Sequence, residues 1–236
     1  MSEIEIVKSD KVAILFGATG LIGAFLLDYL LNNDNYSKVI VFTRHSTNIK
    51  HPKLEEKVIN FMKLPHYEDE IKGDDLFMCL GTTLAKAGSK KTFYQIDYNL
   101  NFTIAKMAEK NKVNQILLVS SVGASQDSRF FYSRVKGKLE DDLKLLNFWS
   151  IRIFQPSILL GERNENRLGE DLAQIIGRGL NFISGGLLKK YKPVEAEVVA
   201  KAMVEVAQHL EKGVHVYPSH WLQDLSEKQD ALRPYK

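Results

Sequence analysis

Short apolar runs and longer amphipathic stretches alternate along the chain. Residues 12–16 form an unbroken apolar run that stops at Gly17, the pattern of a strand buried on both faces. Residues 21–31 predict a helix, closed by the polar stretch 32–35. Strands are predicted at 39–42, 76–80, 116–119 and 149–154, with a weaker one at 58–61. Helices are predicted over 93–110 and 132–146. This strict alternation with short connections implies an α/β protein, a mostly parallel sheet covered by helices on both sides. Beyond Pro156 the pattern loosens into a charged loop at 161–167, a helix at 168–180 and a turn at 184–186. A helix at 193–210 and a short strand at 214–217 follow. With no internal repeat or linker, residues 1–236 read as one domain. Its dinucleotide-binding core is 11–160, and 161–236 is a small C-terminal, substrate-side elaboration.

Composition narrows this little. A chain of 236 residues with 44% hydrophobic and 26% charged content suits one well-buried core. No apolar run approaches the ~20 residues of a membrane span, and none is expected. The first ten residues lack the basic-then-apolar order of a signal peptide. The single cysteine, Cys79, excludes an intramolecular disulfide and suits a reducing compartment, so a cytoplasmic location is expected. The net charge of +3 comes from dispersed lysines, so no nucleic-acid partner is expected. The histidines show no metal-ligand spacing, and no metal is expected. A monomer or homodimer is expected.

Chemistry first appears at 17–23. Gly17, Ala18, Thr19, Gly20, Leu21, Ile22 and Gly23 lie between the first strand and the first helix. Gly17 permits the tight turn, Gly20 lets a pyrophosphate approach the backbone, and Gly23 lets the helix close on the sheet. The helix N-terminus adds unpaired N–H donors for phosphates. After the second strand come Thr43 and Arg44. An NAD-preferring site places Asp or Glu there; Arg44 instead suits a 2′-phosphate. NADP(H) is therefore expected over NAD(H).

Taken together, these features resemble the short-chain dehydrogenase/reductase superfamily, in its extended and atypical branches, and imply a doubly wound Rossmann fold. Leu80, Gly81, Thr82 and Thr83 resemble the loop passing beneath the cofactor. Ser120 and Ser121 stand where the family carries its catalytic serine, and Tyr132 with Lys136 matches its Tyr-x-x-x-Lys. Pro156, Ser157 and Ile158 follow the sixth strand, where the family packs backbone against the nicotinamide. The closer resemblance, through Cys79 to Thr83 and Leu160 to Arg163, is to the small Tat-interacting-protein-like oxidoreductases. Two positions depart from the pattern. Gln155 replaces a more usual arginine, and Asp97 falls where many dehydrogenases place asparagine in a proton relay.

The resemblance implies that Tyr132 is the acid/base and that Lys136 tunes it and holds the nicotinamide ribose. Ser121 then anchors the substrate oxygen, with Ser120 as the alternative hydroxyl. One helical turn separates Tyr132 from Lys136, which places them on one face. The expected function is an NADP(H)-dependent oxidoreductase acting on a carbonyl or alcohol of a small-molecule substrate. The alternative is an NADP(H)-binding regulatory or assembly protein without turnover. A nucleotide-sugar epimerase is disfavoured, since 157–236 is short for a sugar-nucleotide domain. Arg163 and Arg167 either hold an acidic substrate group or pair with neighbouring glutamates.

Overall fold

A computed structural model describes residues 10–160 and 193–222. Its main sheet has seven strands: β1 (Lys11–Phe16), β2 (Tyr36–Thr43), β3 (Leu54–Val58), β4 (Asp75–Met78), β5 (Gln115–Val119), β6 (Ser150–Gln155) and β9 (Gly213–Pro218). They lie in the order β3-β2-β1-β4-β5-β6-β9, and every neighbouring pair is parallel. The chain reverses direction across the sheet between β1 and β4. In doubly wound sheets, ligands bind in the crevice outside the carboxyl ends of the strands at such a reversal. Two short strands, β7 (Leu159–Leu160) and β8 (Val194–Glu195), pair separately.

Both faces of the sheet are apolar, as its inner strands require when helices cover each side. Alternate residues sort to the two faces. Ala13, Leu15, Val39, Val41, Phe77 and Leu117 pack with α1 (Leu21–Leu31) and a C-terminal helix, Ala196–Val206. Ile14, Phe16, Ile40, Met78, Ile116 and Leu118 pack on the opposite side. That side is covered by α4 (Asn101–Lys110) and α5 (Phe131–Leu143). Preceding α4 are α2 (Leu84–Ala87) and α3 (Lys90–Tyr94), so the C-terminal helix is α6. The expected C-terminal elaboration thus contributes part of itself to the core. Helix α6 packs beside α1, where the Tyr29 hydroxyl donates to Glu197 at 2.7 Å, and β9 extends the sheet.

Three elements differ from the expectations. The third strand sits at Leu54–Val58, and the apolar residues after it enter a 3-10 stretch, Phe61–Glu70. As an edge strand it has one neighbour, so Glu55 and Lys57 are tolerated and make ion pairs with Lys38 and Glu70. The helix expected over 93–110 starts at Lys90 and is interrupted by a π turn, Gln95–Leu100. The helix expected over 193–210 begins at Ala196, because the N–H of Val194 donates to Ile158 and its residue pairs with β7. The loop, helix and turn expected over 161–186 lie outside the described residues, as do Arg163 and Arg167.

A polar cluster closes the sheet edge away from the crevice. Lys11 pairs with Asp75 at 2.5 Å, and both are buried. Asp75 also accepts from the Tyr36 hydroxyl at 2.5 Å and from Gln115 at 2.8 Å. Lys11 and Gln115 both donate to the Ala207 carbonyl, at 2.9 and 2.8 Å. Fully buried Arg152 donates to the His209 carbonyl at 2.7 Å and to the Tyr217 hydroxyl at 2.8 Å. These groups satisfy carbonyls of the turn that follows α6 and place cations near the helix's negative pole.

Burial pushes the Asp75 carboxyl above its usual range, against the opposing effects of Lys11, Tyr36 and Gln115. Removing the cation leaves that carboxylate uncompensated. Lys11→Met should therefore cost about 3–5 kcal/mol at neutral pH, measured by urea unfolding. The native state holds Asp75 more readily protonated than the unfolded chain does, so the loss should shrink as pH falls. A loss that is constant or grows toward acid pH contradicts this account.

Candidate functional site

The carboxyl ends of β1 and β4 meet at the glycine turn. Gly17 has a φ of +91°, and a Cβ there would lie 2.6 Å from the Cys79 carbonyl carbon. Only glycine meets both conditions. A Cβ on Gly23 would lie 2.0 Å from the Gly17 carbonyl oxygen, so α1 rests directly on the turn. The N–H of Gly20 donates to that same carbonyl at 2.9 Å. Helix α1 has no side-chain cap and no acidic residue in its first turn, which leaves its positive end to the crevice. Ala18, Leu21 and Ile22 are buried beneath the turn, and Thr19 is exposed. Bare backbone over an uncapped helix end is a cradle that fits a dinucleotide pyrophosphate.

At the end of β2, buried Thr43 donates its hydroxyl to the His45 carbonyl at 2.8 Å. Arg44 is exposed, and its guanidinium makes no hydrogen bond or ion pair among the described residues. The loop beyond is held by Glu56, which accepts from the Ser46 hydroxyl and from the N–H and hydroxyl of Thr47. The site therefore presents a free guanidinium beside an ordered loop.

Beyond β4 the chain runs through Cys79, Leu80, Gly81, Thr82 and Thr83. Burial pushes the Cys79 thiol up to about 12, which leaves it an inert core residue. The N–H of Thr82 donates to Asp97 Oδ2 at 2.9 Å. Asp97 Oδ1 lies 2.8 Å from Lys136 Nζ, and neither side chain is more than 5% exposed. Burial alone would pull the Lys136 ammonium below its usual value. The Asp97 carboxylate, aided by Tyr132 and Glu140, reverses that and holds the group above its usual value. A Cβ on Gly81 would lie 3.3 Å from Asp97 Oδ1 and 3.6 Å from Lys136 Nζ, so the loop lies against the pair.

Tyr132 sits in the first turn of α5, with its ring 5.5 Å from that of buried Phe93. At Gly137, α5 touches the loop after β5 so closely that a Cβ would lie 2.3 Å from the Ser125 carbonyl carbon. The two serines ending β5 diverge. Ser120 donates its hydroxyl to Glu140, while among the described residues the hydroxyl of buried Ser121 makes only a long contact of 3.4 Å with the Val122 carbonyl. Glu140 also accepts from Gln155 at 2.9 and 3.1 Å, so α5 ties together the ends of β5 and β6. Burial pushes the Glu140 carboxyl above its usual range despite those bonds. The N–H of Val122 donates to the Pro156 carbonyl at 2.9 Å, and that of Ser157 to the Ser219 hydroxyl at 3.1 Å. Ile158 follows, half-buried, and its carbonyl accepts from Val194 at 2.8 Å.

The glycine turn, the 80–83 loop, Ser121, Tyr132, Lys136 and 156–158 thus gather at one edge of the sheet. Sequence reading treated Asp97 only as a departure and passed over Glu140. A signal existed in the spacing: Tyr132, Lys136 and Glu140 recur every four residues along one helix face.

Comparison with known proteins agrees with this geometry. Residues 17–144 match the NAD(P)H-binding family. The chain is 35% identical to Protein FMP52, mitochondrial, of Candida albicans over 208 residues, 85% of this chain and 88% of that protein. It is 34% identical to Protein HTATIP2 of Rattus norvegicus over 169 residues, 70% of this chain and 69% of that protein. Among solved structures, a UDP-N-acetylglucosamine 4-epimerase from Methanobrevibacter ruminantium superposes with a TM-score of 0.66 at 17% identity, covering 95% of this chain and 83% of the epimerase. That likeness concerns the fold. The expected cytoplasmic location is overturned, because several relatives are named as mitochondrial proteins. A low cysteine count reports redox environment, which does not specify an address. With a nicotinamide-dinucleotide cradle and a family match across more than half its length, the chain belongs to the NAD(P)H-binding family.

Proposed function

We propose that this protein is an NADP(H)-dependent oxidoreductase acting on a carbonyl or alcohol. The observation that carries the reading is the Tyr132–Lys136 face of α5, set against the 80–83 loop through Asp97 at the same sheet edge as the glycine cradle. When bound, the nicotinamide supplies or accepts hydride. Tyr132 Oη gives a proton to the substrate oxygen in reduction and takes it back in oxidation. Lys136, one helical turn along the same face of α5, places a cation beside the oxygen where negative charge develops during that transfer. Ser121 donates a hydrogen bond to the substrate oxygen. It is favoured over Ser120, whose hydroxyl is committed to Glu140. Lys136 also holds the nicotinamide ribose, and the backbone of 156–158 lines the nicotinamide side. Arg44 takes the 2′-phosphate. The relatives' names favour association with mitochondria.

Two measurements test this reading. NADP(H) should bind more tightly than NAD(H), and Arg44→Ala should erase most of the difference. A charge-assisted contact contributes about 1.5–3 kcal/mol, so calorimetry should register a roughly ten- to hundredfold loss for NADP(H) alone. Equal affinities in the unaltered protein refute the preference. The second measurement concerns turnover of aldehydes, ketones and quinones, followed by NADPH absorbance. Tyr132→Phe keeps the ring but deletes the proton donor, so turnover should fall about 10²–10⁴-fold with NADPH affinity nearly unchanged. Retained turnover removes Tyr132 from the mechanism. NADPH binding without turnover across a broad screen points instead to a cofactor-binding regulatory protein.

A further inference from the structure

We propose that Asp97 is a positioning residue that anchors the Lys136 ammonium and the 80–83 loop in one preformed unit. The inference rests on the reading of Lys136 given above. Both partners are buried, and their contact of 2.8 Å is charge-assisted. The other carboxylate oxygen is occupied by the Thr82 N–H. One side chain therefore binds the group that tunes the phenol and the backbone that underlies the cofactor. An ammonium has three N–H donors, and ion pairing with Asp97 leaves donors for the ribose and the Tyr132 hydroxyl.

The local fold is shaped to deliver this carboxylate. Asp97 lies inside the π turn Gln95–Leu100, and such turns occur frequently at functional sites. The turn is braced from within, since Asn101 Nδ2 donates to the Ile96 carbonyl at 2.9 Å. Gly81 leaves room for the approach, as a Cβ there would crowd Asp97 Oδ1 at 3.3 Å. Asparagine at position 97 would offer the same shape without the charge. An aspartate serves a different purpose, because its charge opposes the effect of burial on the ammonium. The ionisable groups acting on Lys136 are Asp97 from the π turn and Tyr132 and Glu140 from its own helix. The facing loop brings Gly81 against the pair and Thr82 onto Asp97, and neither is ionisable.

The test is a titration of Lys136 in 15N-lysine-labelled protein, its ammonium resonance assigned by its loss in Lys136→Arg. In the unaltered protein the resonance should persist to a higher pH than those of exposed lysines, which titrate near 10.4. In Asp97→Asn its midpoint should fall by about 1–3 pH units, and in Asp97→Glu it should stay high. NADPH affinity by calorimetry should then weaken with rising pH in Asp97→Asn while staying flat in the unaltered protein. A merely structural role lowers the melting temperature of both variants and leaves the Lys136 midpoint in place, which would overturn the proposal. If Asp97→Asn does not fold, the unaltered protein decides: a Lys136 titrating with or below the exposed lysines refutes the anchor. Neither readout requires a substrate, so failure to find turnover counts against the oxidoreductase reading and leaves this one standing.

Discussion

A single close approach sets the geometry of the crevice. The Gly17 carbonyl receives the Gly20 N–H and lies under Gly23, while Gly17 itself presses on the Cys79 carbonyl. Because the Cβ distances there are 2.0–2.6 Å, no side chain fits without moving backbone, and the end of β1, the start of α1 and the end of β4 become one rigid corner. The uncapped end of α1 faces the crevice because of it. The Asp97–Thr82 bond then hangs from the same β4 exit, and Lys136 hangs from Asp97. The reactive face of α5 is in this way referenced back to the first turn of the chain.

The two sheet edges use buried charge differently. At the edge remote from the crevice, Lys11, Asp75, Gln115 and Arg152 meet one another and the carbonyls just after α6. Those groups close a structure and have few donors to spare. At the crevice edge, among the described residues, the Arg44 guanidinium has no hydrogen-bond or ion-pair partner and Lys136 is paired with Asp97 alone. Desolvation penalises charge at both edges, and the difference lies in how completely the surrounding groups consume it.

Much of this was legible in the sequence. Inner strands buried on both faces announce themselves as unbroken apolar runs, and β1, β4 and β5 were placed within a residue or two. The glycine turn was readable because steric demands at Gly17 and Gly23 admit one residue type. The edge strand β3 was displaced, since one-sided pairing lets Glu55, Glu56 and Lys57 stand where an apolar run was sought. The π turn left no periodic trace, because an extra residue within one turn barely disturbs an average taken over the helix. Asp97 and Glu140 were missed as partners for a related reason: a charged residue inside a helix looks solvated until the neighbouring loop is known.

The π turn also constrains how this chain can change length. One extra residue advances the phase of a helix by about 100°. Before it, Phe93 faces α5; within it, Asp97 faces Lys136; after it, Ile104, Ala105 and Ala108 face the sheet. Deleting one residue of the turn other than Asp97 would restore a regular helix and set those faces out of step. Either the carboxylate would swing away from the ammonium or the apolar stripe would leave the core. Insertions and deletions should therefore be rarer in this segment than its exposed outer surface suggests, while substitutions at outward positions such as Gln95 should pass freely.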